Sequence, residues 1–193
     1  MPKIEDCAHS ALIVSASDQF DAVAKKSLTR FITIEIKKSG ALARRAALER
    51  DYDLVIINAP LPDENGIELS LDIAEKNNGN VLLVVPQDNY EDILDTVTDQ
   101  CVLVITKPSP KGRLDKAIRL MIAIRNKQYA LEKKAASVQE KLEELRVVSK
   151  AKIVLVEKKH MTEDDAHRYI GKLAMNNGVS RKYAAEKILD EYE

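Results

Sequence analysis

The sequence predicts an α/β doubly wound five-stranded parallel sheet, followed by a long coiled-coil helix and a small all-α three-helix bundle. Three patterns point there. Aliphatic runs alternate with helical spacing over the first 110 residues, an unbroken heptad seam follows, and three short helical segments end the chain.

The runs Ala11–Ser15, Ile32–Ile36, Leu54–Ile57, Val81–Val85 and Val102–Thr106 read as strands. Most are continuously apolar, as expected of a sheet covered on both faces. Residues near 18–29, 39–50, 67–77 and 89–99 show helical spacing between them. A parallel sheet of this kind places function in the loops after the strand C-termini. The first domain is set at residues 1–112.

Beyond Gly112, Leu114, Ala117, Met121, Ile124, Gln128, Leu131, Ala135, Val138, Leu142 and Leu145 advance by alternating steps of three and four residues. No proline or glycine interrupts them, and only Gln128 is polar, a residue that would fix register at a cost in stability. A helix of ~40 residues extends about 60 Å, far beyond a 110-residue domain with a radius of gyration near ~13 Å. The spacing therefore predicts a dimeric coiled coil over residues 113–148, with Met121, Ile124, Leu131, Val138, Leu142 and Leu145 as dimerisation residues.

Residues 149–193 break into three helical pieces. The first continues through Ala151, Ile153, Val154 and Leu155 to about Lys158. Thr162 and Asp165 resemble a capping box opening the second, Gly178 suits its C-terminal cap, and Ser180 suits the N-cap of the third.

Composition excludes several function classes. Hydrophobic residues make up 45% and charged residues 32%, an ordinary globular balance, while aromatics at 4% and the absence of Trp require aliphatic cores. No apolar run approaches the ~20 residues of a membrane span. Residues Met1–Ser10 carry Glu5 and Asp6 and lack the regions of a signal peptide, so a cytoplasmic protein without a membrane partner is expected. Cys7 and Cys101 read as reduced thiols, and His160 and His167 lack a third ligand, so neither metal nor cofactor is expected. Charge is uneven: residues 1–110 hold 11 basic and 18 acidic side chains, whereas residues 111–145 hold 9 and 5. A basic segment beside an acidic one hints at a nucleic-acid partner.

The segment from Asp53 to Gly66 and the Thr106-Lys107-Pro108 turn are similar to the third strand and the Lys-Pro loop of response-regulator receiver domains, which are flavodoxin-like in fold. The resemblance implies a phosphoacceptor carboxylate at the end of the third strand, where this chain has Asn58. It implies an acidic pair after the first strand, where Ser15 and Ala16 stand and Asp18 falls late. The hydroxyl and aromatic positions hold Val85 and Val104. Only Lys107 matches. A neutral amide cannot form an acyl phosphate, and Mg²⁺ prefers carboxylate oxygens. The expectation is a receiver without a phosphoacceptor, with Lys107 pairing with Asn58 and with Asp63 and Glu64 facing solvent.

The blocks Ala151-Lys-Ile-Val-Leu155, Met161-Thr-Glu-Asp-Asp-Ala166 and Tyr169-Ile-Gly-Lys-Leu-Ala-Met175, followed by Ala184-Ala185 and Ile188, resemble the ANTAR domain of transcription antitermination regulators. Gly171 falls mid-helix, where it would admit a close helix approach. The resemblance implies binding of paired RNA hairpins that prevents a terminator from forming. Lys152, Lys159, Arg168, Lys172, Arg181 and Lys182 supply cations for phosphates, and Asn176 with Asn177 suits loop bases, which RNA-binding proteins read where they are splayed out. Ala151 and Ala185, if exposed, let the RNA backbone approach. Lys187, flanked by acids, reads as a bystander, and Tyr169 as core.

The leading expectation is thus a homodimeric, phosphorylation-independent RNA-binding antitermination regulator that is not an enzyme. A sequestering protein or a small ligand would supply its control. The alternative is an interaction or ligand-sensing regulator that binds no RNA; a filter-binding assay with twin-hairpin RNA separates the two.

Overall fold

A computed structural model describes residues 9–76, 80–100, 102–108 and 110–192, the side chains of Thr98 and Lys111 excepted. Cys7 and Cys101, read above as thiols, lie outside the described residues. The chain forms two units, Met1–Gln128 and Tyr129–Glu193.

In the first unit, strands β1 (His9–Val14), β2 (Phe31–Lys37), β3 (Leu54–Asn58), β4 (Val81–Pro86) and β5 (Leu103–Lys107) pair in parallel in the order β2-β1-β3-β4-β5. Helices α1 (Asp18–Ser27), α2 (Gly40–Glu49), α3 (Ile67–Lys76) and α4 (Tyr90–Val97) connect them. Side chains alternate across a strand, so the aliphatic runs feed two cores. Leu12, Val14, Val55, Ile57, Leu83 and Val85 pack with residues of α2, α3 and α4. Ala11, Ile13, Leu54, Ile56, Leu82 and Val84 pack on the opposite face with α1 and the start of α5 (Lys111–Lys159).

That last contact moves a boundary. Leu114, Ala117, Ile118 and Met121 are buried in the second of these cores. Arg125 pairs with Asp53 at 3.3 Å, and Gln128 accepts a hydrogen bond from the buried Asn80 at 3.1 Å. The first unit therefore runs to Gln128 rather than ending at residue 112. Met121, assigned above to the dimer seam, is only 3% exposed and belongs to the receiver-like core instead. Gln128 serves the same unit rather than a coiled-coil register.

The second unit opens with a length of α5 in which every residue from Tyr129 to Leu142 is exposed. Leu131, Val138, Leu142 and Leu145 are between 49% and 62% exposed. The end of α5 then packs with α6 (Glu163–Asn177) and α7 (Arg181–Tyr192) around Val148, Ala151, Leu155, Ala166, Ile170, Ala174, Ala184, Ala185 and Ile188. Alanine dominates this core, and its small side chain lets helix axes approach closely. Thr162 caps α6 by accepting from the Asp165 amide, Gly178 ends α6 in the left-handed region (φ 63°), and Ser180 accepts from the Tyr183 amide at the start of α7. Gly171, read above as a close-approach site, faces open space: a Cβ there would meet nothing within 4 Å.

Close packing at alanine makes the bundle intolerant of bulk. Ala185→Leu inserts three carbons into a fully buried position and should destabilise the second unit by about 1–3 kcal/mol in urea unfolding; an unchanged midpoint would show that the helices pack more loosely than this.

Candidate nucleic-acid interface and the substituted phosphoacceptor position

At the C-terminal edge of the sheet, β1 delivers Ser15, β3 delivers Asn58 and β5 delivers Lys107. The Asn58 amide donates through Nδ2 to Ser15 Oγ at 3.0 Å, and its Oδ1 accepts from Lys107 Nζ at 3.1 Å. An ammonium cannot accept a hydrogen bond, so the amide oxygen must face Lys107. The expected Lys107–Asn58 pair is present, and Ser15 extends it into a three-residue chain. Ser15 Oγ also accepts from the Ser17 amide at 3.0 Å. Partial burial with a neutral partner holds the Lys107 ammonium below the usual lysine range. Val85 and Val104 are buried and apolar, with no hydroxyl or ring to respond to a phosphoryl group.

The acids near this edge are committed elsewhere. Lys38 donates to Asp18 and to Asp21, each at 2.6 Å, which lowers the Asp18 carboxyl. Asp63 remains exposed but is not idle: it accepts from the Ala41 and Gly40 amides at 3.0 and 2.9 Å, capping the positive end of α2, and these bonds lower its pKa. Glu64, expected in solvent, is gripped by the Arg44 guanidinium, which also reaches Asp72 at 3.0 Å. Among the described residues no group of three or more His, Cys, Asp or Glu is placed to hold a metal ion.

The bundle sorts the residues expected to face RNA into three groups. Ala151 is withdrawn altogether: it is fully buried, as is Ala185, because both are used for helix packing. A second group is engaged within the bundle. Lys152 pairs with Glu163 at 2.6 Å, Arg168 with Asp165 at 2.8 Å, and Lys182 lies 3.9 Å from Glu186. Lys159 stands over the rings of Tyr169 and Tyr192, at 5.0 and 5.8 Å. The third group, Lys172, Asn176 and Arg181, is exposed and has no bonded partner among the described residues. Arg181 is the first residue of α7, where free backbone amides favour an anion. Asn177 donates to the Leu173 carbonyl at 2.8 Å. Tyr169 packs half-buried against the bundle core, as expected.

Two features escaped the sequence. Val156, 37% exposed, continues the three- and four-residue steps past Leu145 through Ser149 and Lys152, and extending that arithmetic would have found it. Tyr183 is 49% exposed, an aromatic face on α7 beneath the Lys187 ammonium at 5.8 Å. No local pattern separates it from a core tyrosine.

Comparison with known proteins matches the same two parts. Residues 12–119 match the response regulator receiver domain, and residues 136–189 match the ANTAR domain. The chain is 31% identical over 139 residues to the transcriptional regulatory protein PdtaR of Mycobacterium tuberculosis, covering 72% of this chain and 67% of that protein. Among solved structures, a CheY-like receiver domain protein from Methanospirillum hungatei aligns with a TM-score of 0.56 at 18% identity, over 63% of this chain and 99% of that one. The receiver domain of an HD domain-containing protein from Pseudomonas fluorescens aligns with a TM-score of 0.56 at 17% identity, over 64% and 94%. These structures establish the fold of the first unit; the sequence matches establish the family. The chain belongs to the response regulators that join a receiver domain to an ANTAR domain, the ANTAR antitermination regulators.

Proposed function

We propose that this protein is a cytoplasmic homodimer that binds paired hairpins in leader RNA through residues 149–193 and prevents terminator formation without being phosphorylated. The observation that carries RNA binding is that Lys172 and Arg181, both exposed on the ANTAR bundle, have no bonded partner among the described residues, the second standing at a helix N-terminus. Lys152, Arg168 and Lys182 are held by carboxylates and would contact phosphate only by exchanging partners. Asn176 supplies amide donors and an acceptor to an unpaired base, and the exposed ring of Tyr183 supplies a stacking face.

Dimerisation is inferred from the exposed stripe Leu131, Val138, Leu142 and Leu145, with Ile124 at its start. Burying a leucine or valine fully gains about 1.5–3 kcal/mol, and a second copy of the same stripe is the partner with matching spacing. Two tethered bundles on two hairpins gain avidity of about 10²–10⁴ over one.

Phosphorylation independence rests on Asn58, and on Ser15 and Ala16 in place of acids. The wild-type protein should incorporate no phosphate from acetyl phosphate. Asn58→Asp alone should not restore incorporation, because Lys38 already holds Asp18 and Asp21. Labelling of the wild type would overturn this; labelling of the single variant would show that Asp18 leaves Lys38 for a metal.

For RNA, Lys172→Glu with Arg181→Glu should abolish binding of a twin-hairpin RNA while helical content stays intact. Removing each cation from its phosphate should flatten the salt dependence by about 0.7–0.9 log units per decade. Lys133→Glu with Lys134→Glu changes net charge equally on the exposed length of α5 and should retain binding. Equal losses in the two pairs would mean that only net charge matters, and full binding by the first pair would put the RNA on another face.

A further inference from the structure

The cations of the first unit divide by what they touch. Lys37, Lys38, Arg44, Arg45 and Arg125 pair with carboxylates. Arg50 lies over the Tyr52 ring, and Lys76, Lys107 and Arg113 donate to uncharged oxygens. Among the described side chains of this unit, Lys25, Lys26, Arg30, Lys116, Arg119 and Lys127 have no hydrogen bond, ion pair or ring contact. All of them lie at the end of α1, just after it, or on α5.

Three of these, Lys26, Arg30 and Arg119, line one cavity of about 540 Å³ between the end of α1, the start of β2 and α5. Its floor is apolar, made by Phe31, Ile118 and Ile122, and Thr29 and Asn126 add hydrogen-bonding edges. Asp115 also lines it, one helical turn before Arg119, with its Oδ1 buried and without a hydrogen-bond partner. The lining thus carries three cations against one carboxylate, a positive balance in a unit whose residues 1–110 hold 11 basic and 18 acidic side chains.

Small-molecule sites are concave and largely apolar, carry a few convergent polar groups, and enclose about 300–1,000 Å³. Two guanidiniums and an ammonium in the lining suit a phosphate, which arginine binds bidentately. The aromatic and aliphatic lining of Phe31, Ile118 and Ile122 suits a planar body. We propose that this cavity binds a nucleoside phosphate, with the phosphate held by Lys26, Arg30 and Arg119 and the base over Phe31, Ile118 and Ile122. A helical RNA strand keeps its bases stacked inside and would leave that floor unused, which favours a free nucleotide.

Asp115, Ile118, Arg119, Ile122 and Asn126 come from one face of α5, the helix whose later residues enter the ANTAR bundle core. Occupancy thus acts on that helix and supplies an input that needs no phosphoryl transfer. Its use as an input rests on the phosphorylation-independent reading of the receiver; the site itself does not.

The test is equilibrium dialysis of the full-length protein with AMP, GMP, CMP and UMP in turn, beside the parent nucleosides and inorganic phosphate. At least one nucleotide should bind saturably at one site per chain, and more tightly than its nucleoside or free phosphate. Arg30→Glu with Arg119→Glu should weaken it by at least about a hundredfold, about tenfold for each guanidinium withdrawn from the phosphate. The milder Arg30→Gln with Arg119→Gln should weaken it less, in the same direction. Lys25→Glu with Lys127→Glu, outside the cavity, should leave affinity unchanged. Twin-hairpin RNA binding by the Arg30/Arg119 variants should persist, so the site can fail without the RNA reading failing. The proposal is overturned if none of the four nucleotides binds saturably, if the Lys25/Lys127 pair loses as much affinity, or if hairpin RNA displaces the nucleotide one for one.

Discussion

One helix enters two hydrophobic cores. Leu114, Ile118 and Met121 of α5 close the receiver core, and Ala151 and Leu155 of the same helix close the ANTAR core. Between them the helix continues unbroken with its apolar stripe in water, Leu131 and Val138 each more than half exposed. A single helix gains nothing by leaving such a stripe solvated, which is why a second copy is proposed as its cover. The proposed dimerisation and avidity for paired hairpins both depend on that one length of helix.

The receiver edge is held by hydrogen bonds among neutral and paired groups. Where a phosphoacceptor would concentrate carboxylates, this chain strings Ser15, Asn58 and Lys107 into hydrogen bonds that use a neutral amide. Nearby acids are balanced locally, Asp18 and Asp21 by Lys38 and Glu64 by Arg44. Among the described residues, no cluster of like charge is left to be relieved by a metal ion. The domain keeps its sheet and both cores, which need only aliphatic side chains, with a neutral amide at Asn58 holding the edge together.

Much of this was legible in the residues. The five aliphatic runs and the intervening helical spacing place the strands to within a residue or two, because a doubly covered parallel sheet demands continuous apolar segments. Thr162, Gly178 and Ser180 mark helix ends through chemistry that acts locally. What escaped was long-range. The three-and-four spacing of Leu114, Ala117 and Met121 is the same for a helix lying on a sheet as for a coiled coil, so the periodicity could not assign Met121 to the receiver core. Alanine fits a contact surface and a tight helix crossing equally well, and Ala151 proved to be the latter. The partners of Lys152, Glu64 and Asp63 lie 11 to 23 residues away in the chain, beyond the reach of any local pattern. Arg30 and Arg119 likewise meet only after folding.

The most direct measurement is the mass, by light scattering, of the complex formed with one RNA carrying two hairpins. Two protein chains per RNA are expected for the wild type. Leu131→Asp with Leu142→Asp, which would place charges in the apolar seam, should leave singly loaded RNA, one chain per RNA, at protein concentrations that load the wild type as a pair. A wild-type complex with one chain per RNA, or a double variant that still loads as a tight pair, would contradict dimerisation through α5.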